Sequence, residues 1–260
     1  MKKYLNKIIQ GDCLEVMKDM DDNYVDLTVT SPPYDNLRTY NGYTFDFEGI
    51  AKELYRITKE GGVVVWVVGD ATINGSETGT SFKQALFFKE CGFNLHDTMI
   101  YLKTGFSNPS SNRYHQVFEY MFVFSKGKPK TFNPIKDREN SCLKRGGRSL
   151  RQKDGTTKKG FGGQFLEAFG QRFNVWLLTH PGKAGEKHPA TFPEKLANDH
   201  IISWSNDGDL VFDPFSGSGT TCKMAKINNR NYIGIEISKE YCNIAEQRLS
   251  AVQPKLDFGD

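Results

Sequence analysis

Continuous apolar runs, rather than alternating ones, set the pattern of this chain. K-I-I-Q-G-D (7–12), V-D-L-T-V-T (25–30), V-V-V-W-V-V-G-D (63–70), D-T-M-I-Y-L (97–102), Y-M-F-V-F-S (120–125), L-V-F-D (210–213) and Y-I-G-I-E (232–236) are each bounded by turn residues. Such runs mark strands buried on both faces. Between them lie helical periodicities. F-E-G-I-A-K-E-L-Y-R-I-T-K-E (47–60) predicts a helix stopped by Gly61-Gly62, and S-F-K-Q-A-L-F-F-K-E-C (81–91) one stopped by Gly92. P-E-K-L-A-N-D-H-I-I-S-W (193–204) and S-K-E-Y-C-N-I-A-E-Q-R-L (238–249) predict two more. Alternating strands and helices imply an α/β domain with a mainly parallel sheet.

Residues 126–180 interrupt that alternation, with no apolar periodicity until F-N-V-W-L-L. A polar stretch this long is functional or disordered more often than neutral. The expected architecture is an α/β core built from 1–125 and 181–260, with 126–180 as an inserted module. Charge sharpens the division. Residues 126–160 hold twelve Lys or Arg against Asp137, Glu139 and Asp154, although the whole chain carries only +3. A charged run is often just a solvated face, but a basic segment within an otherwise acidic protein is also the electrostatic footprint of nucleic-acid binding.

Composition excludes several classes. At 260 residues, 38% apolar and 25% charged, the chain can bury a core of ordinary size. No apolar run approaches the roughly 20 residues of a membrane span, so no membrane partner is expected. The start, M-K-K-Y-L-N-K-I-I-Q, lacks the apolar core of a signal peptide, and a cytoplasmic location is the expectation. Five cysteines without a C-x-x-C pair, and five histidines without H-x-x-x-H spacing, predict neither a disulfide framework nor a bound metal.

Two segments carry chemistry. In T-S-P-P-Y-D-N (30–36), Pro32 and Pro33 have no N–H for a ladder and end the preceding strand. In L-V-F-D-P-F-S-G-S-G-T-T-C (210–222), a buried strand runs into a glycine turn, where Gly217 and Gly219 let the backbone approach a ligand closely. Cys222 stands where a dinucleotide fingerprint needs Gly or Ala, and no G-K-[ST] follows to make a phosphate loop. Glu236 ends the next strand, at the distance where an acid takes ribose hydroxyls. Glycine turn plus acid points to an adenosine-containing ligand without a phosphate cradle, and S-adenosylmethionine fits.

D-P-F-S-G-S-G-T-T resembles the cofactor loop of the amino-methylating DNA methyltransferases, and T-S-P-P-Y resembles their catalytic motif, [D/N/S]-P-P-[Y/F]. K-I-I-Q-G-D-C-L-E-V-M, V-V-V-W-V-V-G-D and H-P-A-T-F-P-E-K-L (188–196) also sit where that family has motifs. The order, catalytic motif first and cofactor loop last, resembles the circularly permuted beta class. The resemblance implies a Rossmann-like fold dependent on S-adenosylmethionine. It implies a cofactor lined by Asp213, Phe215, Gly217, Gly219, Thr220 and Thr221, with Glu236 on the ribose. Asp12 and the backbone at Cys13 would reach the adenine, and His188, Pro189 and Phe192 would close over the methionine end. Asp12 could equally cap the helix that follows it, and His188-Pro189 could be an ordinary turn.

The implied chemistry is methyl transfer to an exocyclic amine whose lone pair is delocalised into the base. The Ser31 hydroxyl and the Pro32 carbonyl, stiffened by Pro33, would accept the two N–H bonds, and Tyr34 would stack on a flipped base. Positioning of this kind can supply about 7–11 kcal/mol of a bimolecular barrier, and stacking roughly 1–3 kcal/mol. Serine in the first motif position goes mostly with cytosine N4 in the resembled family, and Asp or Asn mostly with adenine N6. Double-stranded DNA is the expected partner. Lys144, Arg145, Arg148 and Arg151 of the insert are candidates for DNA contacts. A homodimer and a companion restriction endonuclease stay open as further partners. An RNA or protein-glutamine methyltransferase, which usually carries Asn at the Ser31 position, and a catalytically dead DNA-binding protein are the competing readings.

Overall fold

The computed structural model describes residues 3–33, 45–106, 109, 111–142, 149–159, 165–179 and 193–252. In chain order, β1 (Lys7–Gln10), α1 (Cys13–Lys18), β2 (Val25–Thr30), α2 (Phe47–Ile57) and β3 (Thr58–Val68) precede a small hairpin of β4 (Thr72–Ile73) and β5 (Ser76–Glu77). Then come α3 (Thr80–Glu90), β6 (Asn94–Lys103) and β7 (Phe118–Ser125). The short strands β8 (Arg138–Glu139), β9 (Ser149–Arg151), β10 (Thr157–Lys159) and β11 (Phe169–Gly170) lead to β12 (Val175–Leu178). α4 (Glu194–Trp204), β13 (Leu210–Asp213), α5 (Thr220–Ile227), β14 (Asn231–Glu236) and α6 (Lys239–Ser250) complete the order.

One large sheet has the strand order β1-β14-β13-β2-β3-β7-β6-β12. Every neighbouring pair is parallel except the two made by β7, which runs against both β3 and β6. The continuous apolar runs have the expected cause, because both faces are covered. Along β3, Val63, Val65 and Val67 join a core shared with α4, α5 and α6, whereas Val64, Trp66 and Val68 join one shared with α1, α2 and α3. Each such side chain contributes about 1.5–3 kcal/mol when fully buried. Trp66 keeps its indole satisfied there, donating to Gln84 Oε1 at 2.9 Å. No described helix is long and apolar enough to cross a membrane.

The helix expected over 47–60 ends three residues earlier, at Ile57. Thr58 turns extended, its hydroxyl donates back to the Leu54 carbonyl at 2.6 Å, and β3 begins there. The amides of Asn23 and Tyr24 take the last helical carbonyls, those of Arg56 and Ile57. Gly61 therefore serves a strand. At φ +78° it exchanges backbone hydrogen bonds with Lys126 and Lys130, and a Cβ there would lie 2.8 Å from the Lys130 Cβ.

A separate compact unit spans Pro134–Phe173, narrower than the stretch set apart by composition. Within it, β8 pairs with β11 and β9 with β10, both antiparallel. Lys136 pairs with Glu167 at 2.8 Å, Arg172 with Asp137, and the Arg138 guanidinium lies over the Phe173 ring. Residues 126–133 and 174–178 belong to the large unit instead. Lys126, the first cation of the basic run, is a structural cap. Its ammonium donates to Asn23 Oδ1 and to the Tyr55 and Thr58 carbonyls at 2.9–3.0 Å, and lies over the Tyr55 ring. We expect Lys126→Met to lower the unfolding free energy by about 1–3 kcal/mol in urea titration. A variant as stable as the parent would contradict this assignment.

Candidate active site

From β2 the chain proceeds to β3 on one side, and from β13 it proceeds to β14 on the other. The boundary between β2 and β13 is thus the point where strand order reverses, and open α/β sheets bind ligands beyond the carboxyl ends of the strands at such a point. Ser31-Pro32-Pro33 leaves the end of β2, and Pro214-Phe215-Ser216-Gly217 leaves the end of β13. Segments 183 residues apart in sequence are joined directly there, the Thr30 hydroxyl donating to Asp213 Oδ1 at 2.6 Å. Thr221, in the first turn of α5, adds a bond to the Val29 carbonyl at 3.0 Å. Pro32 is buried, while Ser31 and Pro33 are half-buried at the rim.

The glycine loop is held mainly by carboxylates. Asp213, 2% exposed, also accepts from the Phe215 amide at 3.1 Å, so its role is to shape the loop from beneath. Burial pushes its carboxyl up to about 6, against the hydrogen bonds of Thr30, Phe215 and Thr221. Glu236 accepts from the Gly217 amide at 2.9 Å and the Ser238 amide at 2.8 Å. Burial raises its pKa, with those amides opposing. Gly217 adopts φ +51° and Gly219 φ +78°. A Cβ on Gly219 would lie 2.8 Å from that of Ala245, so this glycine also lets α6 pack against the turn.

This chemistry discriminates between ligands. The amide that a phosphate cradle would offer is already taken by Glu236, whose own charge repels a diphosphate. The same carboxylate has lone pairs for hydroxyl donors, and an acidic floor suits a cation. A nucleoside carrying a sulfonium fits these residues.

Other elements converge on the same sheet edge. The Gly11 amide donates to the Glu236 carbonyl at 3.0 Å, which puts the β1–α1 turn beside β14. Asp12 caps α1, accepting from the Glu15 amide at 2.9 Å. Cys13 is buried and its thiol is pushed up to about 12 by burial, with Asp12 adding to the rise. Cys222 is likewise buried and raised, so both stay protonated fillers at neutral pH. After Ser31-Pro32-Pro33 the described chain resumes at Phe45, whose ring meets Phe215 edge-on at 5.7 Å. Tyr34, His188, Pro189 and Phe192 lie outside the described residues, as do Lys144, Arg145 and Arg148. Arg151 is exposed on β9 of the separate unit. Among the described residues, no group of three His, Cys, Asp or Glu could hold a metal ion.

Several supporting residues escaped the sequence reading. Arg248 of α6 donates to the Ser218 carbonyl and hydroxyl at 2.8 and 2.6 Å and to Glu194 at 2.7 Å, and Lys223 reaches the same Glu194 oxygen at 2.6 Å. This bridge ties the glycine loop to α4. Burial would raise the Glu194 pKa, but bonds and charge from Lys223 and Arg248 hold it below the usual range. Gly234 lies beneath the loop, where a Cβ would meet the Ser216 hydroxyl at 2.6 Å and the Cys222 sulfur at 2.8 Å. Asp70, after β3, caps α3 from a distance through the Ser81 amide at 2.8 Å and hydroxyl at 2.6 Å. Their only sequence signals were a charge on an amphipathic helix, a glycine inside a strand and an acid after one.

The profile of the N6/N4 DNA methylase family matches residues 25–247. The chain belongs to that family. The methylase is 62% identical over 235 residues to the orphan methyltransferase M.BamHII of Bacillus amyloliquefaciens, covering 86% of this chain and 88% of that protein. It is 28% identical over 261 residues to the type II methyltransferase M.BglII of Bacillus subtilis, covering 96% and 70%. The fold is that of the PvuII DNA methyltransferase (cytosine-N4-specific), with TM-score 0.70, 22% identity and coverage of 96% and 87%. It is also that of the M1.HpyAVI–SAM complex, with TM-score 0.65, 24% identity and coverage of 94% and 98%. The Rossmann-like architecture expected from the sequence, with the S-P-P strand β2 before the glycine-loop strand β13, is therefore present in the methylase.

Two outcomes follow for the loop. Arg248→Met should raise the cofactor KM by about 10-fold, the loss of a charged hydrogen-bond set worth about 1.5–3 kcal/mol, and an unchanged KM in steady-state titration would contradict the bridge. Asp213 has a second signature. A carboxyl raised from 3.8 to about 6 holds more protons folded than unfolded, so its contribution to stability falls as pH rises from about 4 to 6. Asp213→Asn should therefore gain stability relative to the parent across that window in denaturation at stepped pH. A constant difference would contradict the buried, raised carboxyl.

Proposed function

We propose that the methylase transfers a methyl group from S-adenosylmethionine to an exocyclic amine of a base flipped out of duplex DNA, with cytosine N4 the favoured acceptor. The observation that carries this reading is the emergence of S-P-P and the glycine loop side by side at the strand-order reversal, tied by the 2.6 Å Thr30–Asp213 bond. When bound, the cofactor supplies an electrophilic methyl on a positively charged sulfur. Phe215, the Gly217–Gly219 turn and Glu236 hold it, Glu236 taking ribose hydroxyls with the lone pairs its amide partners leave. Asp12 and the Cys13 backbone reach the adenine, and His188, Pro189 and Phe192 cover the methionine end.

The Ser31 hydroxyl oxygen and the Pro32 carbonyl accept the two N–H bonds of the amine and draw its nitrogen toward tetrahedral geometry. Tyr34 stacks on the base. The acceptor is neutral, so the proton leaves after transfer to solvent rather than to a buried carboxylate. Serine at this position supports cytosine N4 over adenine N6, following its use in the family.

The Pro134–Phe173 unit reads the DNA. It holds ten Lys or Arg against four Asp or Glu. Lys136 and Arg172 are neutralised internally, whereas no ion pair to Arg151, Lys153 or Lys158 is present among the described residues. Those three suit salt-dependent phosphate contacts, and Lys144, Arg145 and Arg148 extend the set. The orphan description of M.BamHII supports a solitary enzyme over one paired with a restriction endonuclease. Exposed apolar side chains on α3 and β12, Phe82, Leu86, Val175 and Leu177, support a homodimer.

Incubation with methyl-labelled cofactor and duplex DNA should label the DNA, and mass spectrometry of the digested nucleosides should show N4-methylcytosine. N6-methyladenine would overturn the choice of base. Label in RNA or protein alone would overturn the reading itself, and no transfer with intact DNA binding would favour the dead DNA-binding protein. Ser31→Ala should abolish labelling while the thermal midpoint stays at the parent's value.

A further inference from the structure

Backbone pairing between β2 and β13 is registered at Val211 with Leu27 and at Phe212 with Thr28, and goes no further. Thr30 and Asp213, the last residues of the two strands, lie beyond that ladder. Both are buried, at 0% and 2% exposure. What holds the strand ends together there is side-chain bonding, Thr30 to Asp213 at 2.6 Å and Thr221 to the Val29 carbonyl at 3.0 Å. One oxygen, Asp213 Oδ1, accepts both the Thr30 hydroxyl and the Phe215 amide. The next residue after Thr30 is Ser31. The end of β2 is therefore tied through Asp213 Oδ1 to the start of the cofactor loop, beside the Thr221–Val29 bond.

We infer that Thr30 is a positioning residue for methyl transfer: its bond to Asp213 is a latch that fixes the spacing between the amine-binding segment and the cofactor loop. This rests on the proposed roles of Ser31 and Pro32. Thr30 is fully buried with its hydroxyl spent on Asp213, so it acts through that residue and its effect falls on the transfer step. A direct displacement is sensitive to such spacing, since a misplacement of about 1 Å can cost on the order of 100-fold in rate. The weight of the latch follows from its place past the last registered pair of β2 with β13, where the Thr221–Val29 bond is its companion across the two strand ends, while Thr30 stays paired with Trp66 of β3 and Asp213 with Gly234 of β14.

The test is single-turnover methyl transfer with duplex DNA prebound and cofactor saturating, beside calorimetric cofactor affinity. Thr30→Val keeps the side-chain shape and deletes the donor. We expect it to slow transfer by about 10- to 100-fold while the cofactor dissociation constant moves by less than about 3-fold, and Thr30→Ser to restore the rate to within about 3-fold of the parent. A Thr30→Val rate within about 2-fold of the parent, or a rate loss matched by an equal loss of cofactor affinity, would overturn the latch. Should Thr30→Val not fold, Thr30→Ser decides alone: a rate more than about 10-fold below the parent overturns it. Ser31→Ala separates the two claims. If it transfers methyl at the parent rate, the reading of the acceptor segment fails, whereas an inactive Ser31→Ala beside a fully active Thr30→Val removes only the latch.

Discussion

Parallel pairing of β2 with β13 is the constraint on which the rest of the site depends. Two segments 183 residues apart in sequence each end a buried strand, and only their adjacency makes one crevice from them. The sheet order enforces it, because the chain leaves β2 in one direction and β13 in the other, opening space above their carboxyl ends. The flanking strands then bring in the Glu236 carboxylate from β14 and the Asp12 turn from β1. Permutation of the motifs along the chain is thereby physically neutral, since adjacency in the sheet, not order in sequence, assembles the site.

Electrostatics at this edge serve the backbone first. Asp213 and Glu236 lie under or beside the glycine loop and spend hydrogen-bonding capacity on the amides of Phe215, Gly217 and Ser238. A loop whose amides are so occupied is a poor phosphate cradle and a good seat for an uncharged nucleoside beside a cationic sulfur. Around it, Arg248, Glu194 and Lys223 form a bridge from α6 across the loop to α4. The loop geometry is thus preorganised by charged hydrogen bonds, and in the proposed reading the transfer step falls to the two neutral acceptors, Ser31 and Pro32.

Much of this was legible in the sequence for identifiable reasons. β2 and β13 have the bounds their runs predicted, β13 as an almost wholly apolar strand and β2 with the small polar side chains of Thr28 and Thr30 fully buried among its apolar residues. α3 stops before Gly92, at φ +111°, as a glycine stop requires. Gly61-Gly62 misled because glycine pairs also serve strands where another backbone comes close, and nothing local distinguishes the two uses. Lys126 was counted with the basic insert because charge along a chain does not reveal which ammonium turns inward to cap a helix. Thr30 and Arg248 were invisible for a different reason: each acts through a partner distant in sequence, and an ordinary threonine or a helix-face arginine has no local mark of that.

The most direct test of the shared crevice is the structure of the enzyme bound to duplex DNA and a non-reactive cofactor analogue. The account predicts ribose hydroxyls on Glu236, the adenosine between the ends of β13 and β14, and the target amine on Ser31 Oγ and the Pro32 carbonyl. The transferable position would lie about 3–3.5 Å from that amine. A cofactor seated away from the β13 loop, or a target base bound with its amine turned from Ser31 and Pro32, would contradict it.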